Sequence, residues 1–317
     1  MKRAKWRQYR DLSLIGLFSL ILFCLAVKIF YPSTLEGLEF YTIHQKTDPK
    51  VAFLNERIKD ISPSTYPSFN EDGPSSLAKS DNRLNQAPVK TAAAGKLPIL
   101  MYHYIEIPPA KTALPGLYLD PEIFAKQLEF IQKQGYKTMF VSELARQIKD
   151  GKTDFKKEIS LTFDDGYKDF YTQAFPLLKK YQTKATLYVI INRLDQPDYI
   201  SRAELKELAR SGLVEIGSHT FNHPDLKTLD ERRTSFEIET SRHYLSQLTG
   251  QPTLTFAYPF GRYDQADLKL AAQAGYEAAV STDPGSWQGK YNLMALKRLR
   301  PGNRQGEAFK NWLEDWE

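Results

Sequence analysis

Cysteine is nearly absent. Cys24 stands alone among 317 residues, so no internal disulfide scaffold exists. Histidine is scarce too, with five in the chain, which makes any pair of them at a regular spacing worth weighing. No repeat of about 20–50 residues runs through the sequence, and this removes solenoids and propellers. An excess of one charge is missing from the body of the chain. The formal charge of +5 is carried by Lys2, Arg3, Lys5, Arg7 and Arg10, and without them 38 basic residues face 38 acidic ones. A neutral body argues against nucleic-acid binding, which normally needs a basic face. The apolar content of 42% excludes a core-poor disordered chain.

What is present begins with a membrane signal. Residues Leu12 to Val27 carry no charge, and the apolar stretch counted through Tyr31, with Lys28 inside it, has about the length that spans a bilayer core. Lys28 can snorkel from the far end of such a span. Basic residues ahead of the span place the N-terminus inside the cell. A cleaved signal peptide would need small residues after the apolar run, and Lys28–Gly37 offers no convincing pattern; a lipoprotein signal would need a small residue where Phe23 precedes Cys24. We therefore expect a cytoplasmic tip at 1–11, a single-pass anchor at 12–31, and the rest outside the cell. Residues 32–95 are expected to be an extracellular stalk, largely disordered, because Ser62–Gly95 is rich in Pro, Ser, Asn, Asp and Ala with almost no aliphatic residues.

From residue 96 to 317 strand and helix signals alternate. Leu97–Tyr102, Glu158–Phe163, Ala185–Ile191, Leu213–Ser218, Leu254–Tyr258 and Glu277–Ser281 read as strands. Asp120 before Pro121, Ser201 with Glu204, Asp230 and Asp264 read as helix N-caps, and Gly212, Gly250 and Gly275 as helix ends. The alternation predicts an α/β fold with a parallel sheet, open or closed into a barrel, and such folds assemble sites beyond the C-terminal ends of their strands.

Three segments at strand ends carry chemistry. Thr162–Gly166 (TFDDG) places Asp164 and Asp165 side by side; two adjacent acids there can serve two roles, although an Asp-Gly turn with a spare Asp is the plainer reading. His219 and His223 lie four apart and could face one metal in a turn or short helix. Tyr258-Pro259-Phe260-Gly261 closes a third strand with a turn that could present backbone N–H groups to a ligand, or could simply be a turn.

Taken together, in order and spacing, these segments resemble the polysaccharide deacetylases of carbohydrate esterase family 4, over about residues 96–316. The resemblance implies a deformed (β/α) barrel of about seven strands and metal-dependent removal of acetyl groups from N-acetylated sugars. It implies Asp165, His219 and His223 as ligands of one divalent ion, zinc foremost, with cobalt, nickel or iron as alternatives. It implies Asp164 as the base that activates water, and a backbone N–H at Phe260, with Tyr258 and Pro259 beside it, facing substrate and oxyanion. Three departures stand out. The customary L-x-H segment falls at Leu296-Lys297-Arg298, where Arg298 replaces the histidine that would act as the acid, and the arginine of the third motif falls on Ala257. No clear D-x-x-D-W segment exists, though Asp283 and Trp287 lie in that region. His103, at the end of the first strand, resembles the early histidine of a rearranged branch that includes extracellular poly-N-acetylglucosamine deacetylases, which implies His103 as the acid and leaves Arg298 to orient Asp164. His44 and His243 are expected at the surface.

The expected partners are an N-acetylated polysaccharide or peptidoglycan and the membrane, with no nucleic acid and a monomeric chain. A carbohydrate-binding or adhesion protein on the same fold and a small-amide hydrolase are the competing readings.

Overall fold

The computed structural model describes residues 94–316. The expected anchor, nearly all of the expected stalk, and His44 lie outside the described residues. In chain order the elements are β1 (Ala94–Lys96), β2 (Ile99–Tyr102), α1 (Pro121–Lys133), β3 (Lys137–Thr138), α2 (Val141–Lys149), β4 (Glu158–Phe163), α3 (Phe175–Tyr181), β5 (Ala185–Val189), α4 (Arg202–Arg210), β6 (Val214–Ser218), α5 (Glu231–Ser235), α6 (Ser241–Thr249), β7 (Thr255–Ala257), α7 (Gln265–Gln273), β8 (Ala278–Pro284), β9 (Trp287–Gly289), β10 (Leu296–Arg298) and α8 (Gly306–Glu314).

Seven parallel strands run in the order β2-β4-β5-β6-β7-β8-β10. The ring nearly closes. Leu299, just past β10, pairs in parallel with Leu100, donating to the Ile99 carbonyl at 2.8 Å while its own carbonyl accepts from Met101 N–H at 2.8 Å. This is the deformed (β/α) barrel expected from the motifs.

Residue alternation assigns the two faces of the wall. On β4, Phe163 packs against Phe124 of α1 and Phe170 on the helical side, which puts Ser160, Thr162 and Asp164 on the opposite, interior side. At the N-terminal end the interior is apolar: Leu97, Ile99, Tyr188, Val280 and Leu296 pack against α2. Full burial of such side chains contributes about 1.5–3 kcal/mol each. Gly217 makes room for Tyr188, because a Cβ there would lie 2.5 Å from its ring.

The helix signals hold where they have a capping partner. Asp120, Ser201, Asp230 and Asp264 each accept a backbone N–H from the first turn of α1, α4, α5 and α7. Two expectations need correction. Residues 94 and 95, assigned to the stalk, form β1 with Lys96 and pair antiparallel with β9. Backbone pairing of this kind leaves no compositional trace. His243 is buried on α6, not at the surface.

Candidate metal centre and active site

The two acids, the paired histidines and His103 sit beyond the C-terminal ends of the barrel strands, and Arg298 is the last residue of β10. Asp164 and Asp165 follow β4, His219 follows β6, and His103 follows β2. Asp165 takes a left-handed backbone (φ 75°), as do Thr220 (67°), His223 (62°) and Phe260 (58°). Left-handed conformations are costly for side-chain-bearing residues and are retained where the surroundings enforce them.

The enforcement is visible. His223 N–H donates to Thr220 Oγ1 at 2.8 Å. Glu237, reaching in from the helical segment between α5 and α6, accepts from the backbone N–H groups of Phe221 (2.9 Å) and Asn222 (2.8 Å) and from the Asn222 amide (2.7 Å). This buried carboxylate, its pKa pushed up by burial, holds the loop that carries both histidines. Sequence reasoning missed Glu237, since nothing local links it to residues fifteen positions earlier.

Asp165 Oδ1 lies 3.4 Å from His219 Nε2 and 3.6 Å from His223 Nε2. Three donors on a tetrahedral ion with bonds of about 2.0–2.1 Å stand roughly 3.3 Å apart, so the residues fit a divalent metal. The three ligand atoms all fall within 4.8 Å of one another, the one such group among the described residues. His219 Nδ1 lies 2.8 Å from the Ala257 carbonyl, which fixes Nδ1 as the protonated nitrogen and leaves Nε2 free to ligate. Burial opposes ionisation of Asp165, yet the hydrogen bond and charge of His219 hold its carboxyl well below the usual range. Burial pushes His223 down to about 4, which keeps it neutral as a ligand must be. His219 is shifted upward because its contact with Asp165 outweighs its burial.

Asp164 faces a different partner. Arg298, 1% exposed, donates from Nη1 and Nη2 to Asp164 Oδ1 and Oδ2, both at 2.7 Å. Its Nε donates to the Ser281 carbonyl at 2.8 Å and Nη1 also reaches Thr162 Oγ1 at 3.1 Å. The two-pronged pair lowers the Asp164 pKa against the pull of burial. His103 Nε2 stands 4.0 Å from Asp164 Oδ2, and its buried Nδ1 has no hydrogen-bond partner among the described residues. Burial lowers its pKa. Arg298, from β10, and His103, from the end of β2, thus meet on one carboxylate, while Ala257 contributes only a carbonyl to His219.

The turn after β7 divides. Phe260 is 59% exposed and its ring meets the His223 ring edge-on at 4.6 Å. Gly261 (φ 66°) passes so close to Thr282 that a Cβ would lie 1.9 Å from its hydroxyl. Pro259 is buried at the start of this turn. Tyr258, grouped by sequence with the substrate-facing residues, is fully buried with its ring against Phe256 and Tyr263, so its side chain belongs to the helix-facing core. Asp283 accepts from Tyr263 Oη at 2.8 Å, and Trp287 lies on β9, paired with β1 ahead of the barrel strands.

Comparison with known proteins agrees with this geometry. A family profile described as polysaccharide deacetylase matches residues 151–279. The polysaccharide deacetylase-family protein YxkH of Bacillus subtilis is 33% identical over 228 residues, covering 71% of this chain and 79% of that protein. The poly-beta-1,6-N-acetyl-D-glucosamine N-deacetylase of Staphylococcus aureus is 26% identical over 61% of this chain and 70% of its own length. Among solved structures, the Streptococcus pyogenes deacetylase PplD in complex with acetate superposes with a TM-score of 0.65 at 34% identity, over 72% of this chain and 100% of that one. The chain belongs to the polysaccharide deacetylase family, enzymes that hydrolyse N-acetyl amide bonds.

Proposed function

We propose that this protein is a metal-dependent deacetylase of N-acetylglucosamine-containing cell-wall or matrix polysaccharide. It converts an acetamide and water into a free amine and acetate. The observation that carries the reading is the convergence of Asp165, His219 and His223 on one point, with the Asp164–Arg298 pair and His103 beside it. Asp165, His219 and His223 would hold the ion, zinc in preference to cobalt, nickel or iron. Such an ion supplies Lewis acidity, lowering the pKa of water and polarising the acetyl carbonyl.

The chain's own groups do the rest. Asp164 accepts the proton of the attacking water. Arg298 keeps that carboxylate ionised and fixes both of its oxygens, a positioning role suited to a guanidinium that does not deprotonate. The Phe260 backbone N–H faces the developing oxyanion. His103 delivers a proton to the leaving nitrogen. An intact set of these groups favours turnover over mere carbohydrate binding.

We also propose that residues 12–31 anchor the protein with its domain outside the cell. Acetate release from a panel of purified glycans, including N-acetylglucosamine oligomers and peptidoglycan, tests the activity. Release that stops on chelation and returns with zinc is expected, and no release from any N-acetylated glycan would sink the reading. Recovery of mature protein from culture medium, starting near residue 32, would contradict the anchor.

A further inference from the structure

Four tyrosines form a continuous stack beside the candidate active site. Tyr118 lies on Tyr104 with centroids 4.2 Å apart and planes 5° from parallel. Tyr104 lies on Tyr167 at 3.7 Å and 20°, and Tyr167 meets Tyr199 at 5.1 Å and 33°. The stack is built into the backbone: isolated bridges join Tyr104 to Tyr118 and Tyr167 to Tyr199. Its members come from the loops after β2, β4 and β5, neighbours in the barrel, so it crosses three adjacent loops at the mouth.

The inner pair is tied to the chemistry. Tyr104 follows His103 directly, and Tyr167 comes two residues after Asp165. The rings of Tyr104 and Tyr167 are the most closely stacked pair of the four, so the stack is joined through them to the residues beside the candidate metal group. All four tyrosines remain partly exposed. At one end the Arg193 guanidinium covers Tyr199 at 5.6 Å. At the other end Tyr118 closes the stack as a partly exposed ring whose only ring contact among the described residues is with Tyr104. A ring that is apolar on its face and polar at its tip suits a pyranose, whose C–H face can lie on the ring while its hydroxyls find donors and acceptors.

We propose that the tyrosine stack is a glycan-binding subsite that holds a sugar flanking the unit being deacetylated, with that sugar's apolar face on Tyr118. The proposal rests on the deacetylase reading and deepens it: the substrate is a chain that extends over the loop after β2, and a short oligomer would not reach the outer ring. Tyr118 is then a determinant of chain-length preference that touches no reacting atom.

The experiment uses the full-length, metal-loaded protein with N-acetylglucosamine dimer and pentamer. Tyr118→Ala should raise KM for the pentamer about tenfold while leaving kcat and the dimer kinetics unchanged, and Tyr118→Phe should restore the pentamer KM. Calorimetric titration of the pentamer into an Asp164→Asn background, with and without Tyr118→Ala, measures binding apart from turnover. It should show the same weakening. An unchanged pentamer KM and affinity, or equal losses for dimer and pentamer, overturns the subsite. Failure of the parent protein to release acetate would instead overturn the deacetylase reading, and pentamer binding that depends on Tyr118 would then still support the subsite.

Discussion

Asp164 and Glu215 are two carboxylates at opposite ends of one barrel, the first buried and the second half-buried, and they respond to desolvation in opposite ways. Asp164, at the mouth, is met by a guanidinium and is held ionised below its ordinary range. Glu215, near the start of β6, accepts from Thr186 Oγ1 at 3.2 Å and Thr255 Oγ1 at 3.0 Å, and borders a cavity of about 350 Å³. Hydroxyls offset only part of its desolvation, so burial pushes its pKa up. Desolvation acts on both groups, and the partner decides which protonation state survives. The mouth also holds four of the seven non-glycine residues with positive φ among those described. Charge and strain are concentrated where the chemistry lies, while the other pole is closed by α2 packing and hydroxyl contacts.

The comparison breaks most sharply at Arg298. Arg298→Ala leaves a buried carboxylate without its cation, and loss of one partner of a buried pair costs about 3–5 kcal/mol. Denaturant unfolding should show a loss of that order and acetate release should fall with it. A loss below about 1 kcal/mol would mean that the pair is not the element holding Asp164.

Next come the two groups assigned to opposite ends of the reaction. Asp164→Asn should keep its metal and lose most turnover. His103→Ala should bind metal normally and lose about 10²–10⁴-fold in rate, the usual contribution of a general acid. It should also lose the basic limb of the pH–rate profile. A wild-type rate for His103→Ala across pH would place the acid elsewhere.

The smallest effect belongs to Glu215. A carboxyl with a raised folded pKa favours the fold in its protonated form, so stability should decline as pH rises from its ordinary value of 4.5 through the raised folded value. Glu215→Gln should reduce that slope, leaving the share that Glu237 contributes, and change acetate release little. An unaltered slope in pH-dependent unfolding would show that another group carries it.

Much of this was legible in the sequence because it depends on local spacing. β4 lies at Glu158–Phe163 as read, an apolar run bounded by a turn, and the four helix caps need only a partner two or three residues ahead. The grouping of Asp165, His219 and His223 was expected from the resemblance carried by the TFDDG segment and the His219–His223 pair, both of which follow readable strands. Other features depend on distant partners. β10 is three residues long and carries Lys297 and Arg298, so nothing in its pattern marks a barrel strand until Leu299 pairs with β2. The Arg298–Asp164 contact joins positions 134 apart, and Tyr258 differs from a site residue only in the side of the wall it faces.

The most direct test of the account is metal content measured beside acetate release in His219→Ala and His223→Ala, with thermal unfolding to confirm that both variants fold. The account predicts folded proteins that retain little metal and release little acetate from an N-acetylglucosamine oligomer. Wild-type metal content and wild-type acetate release in both variants would contradict it.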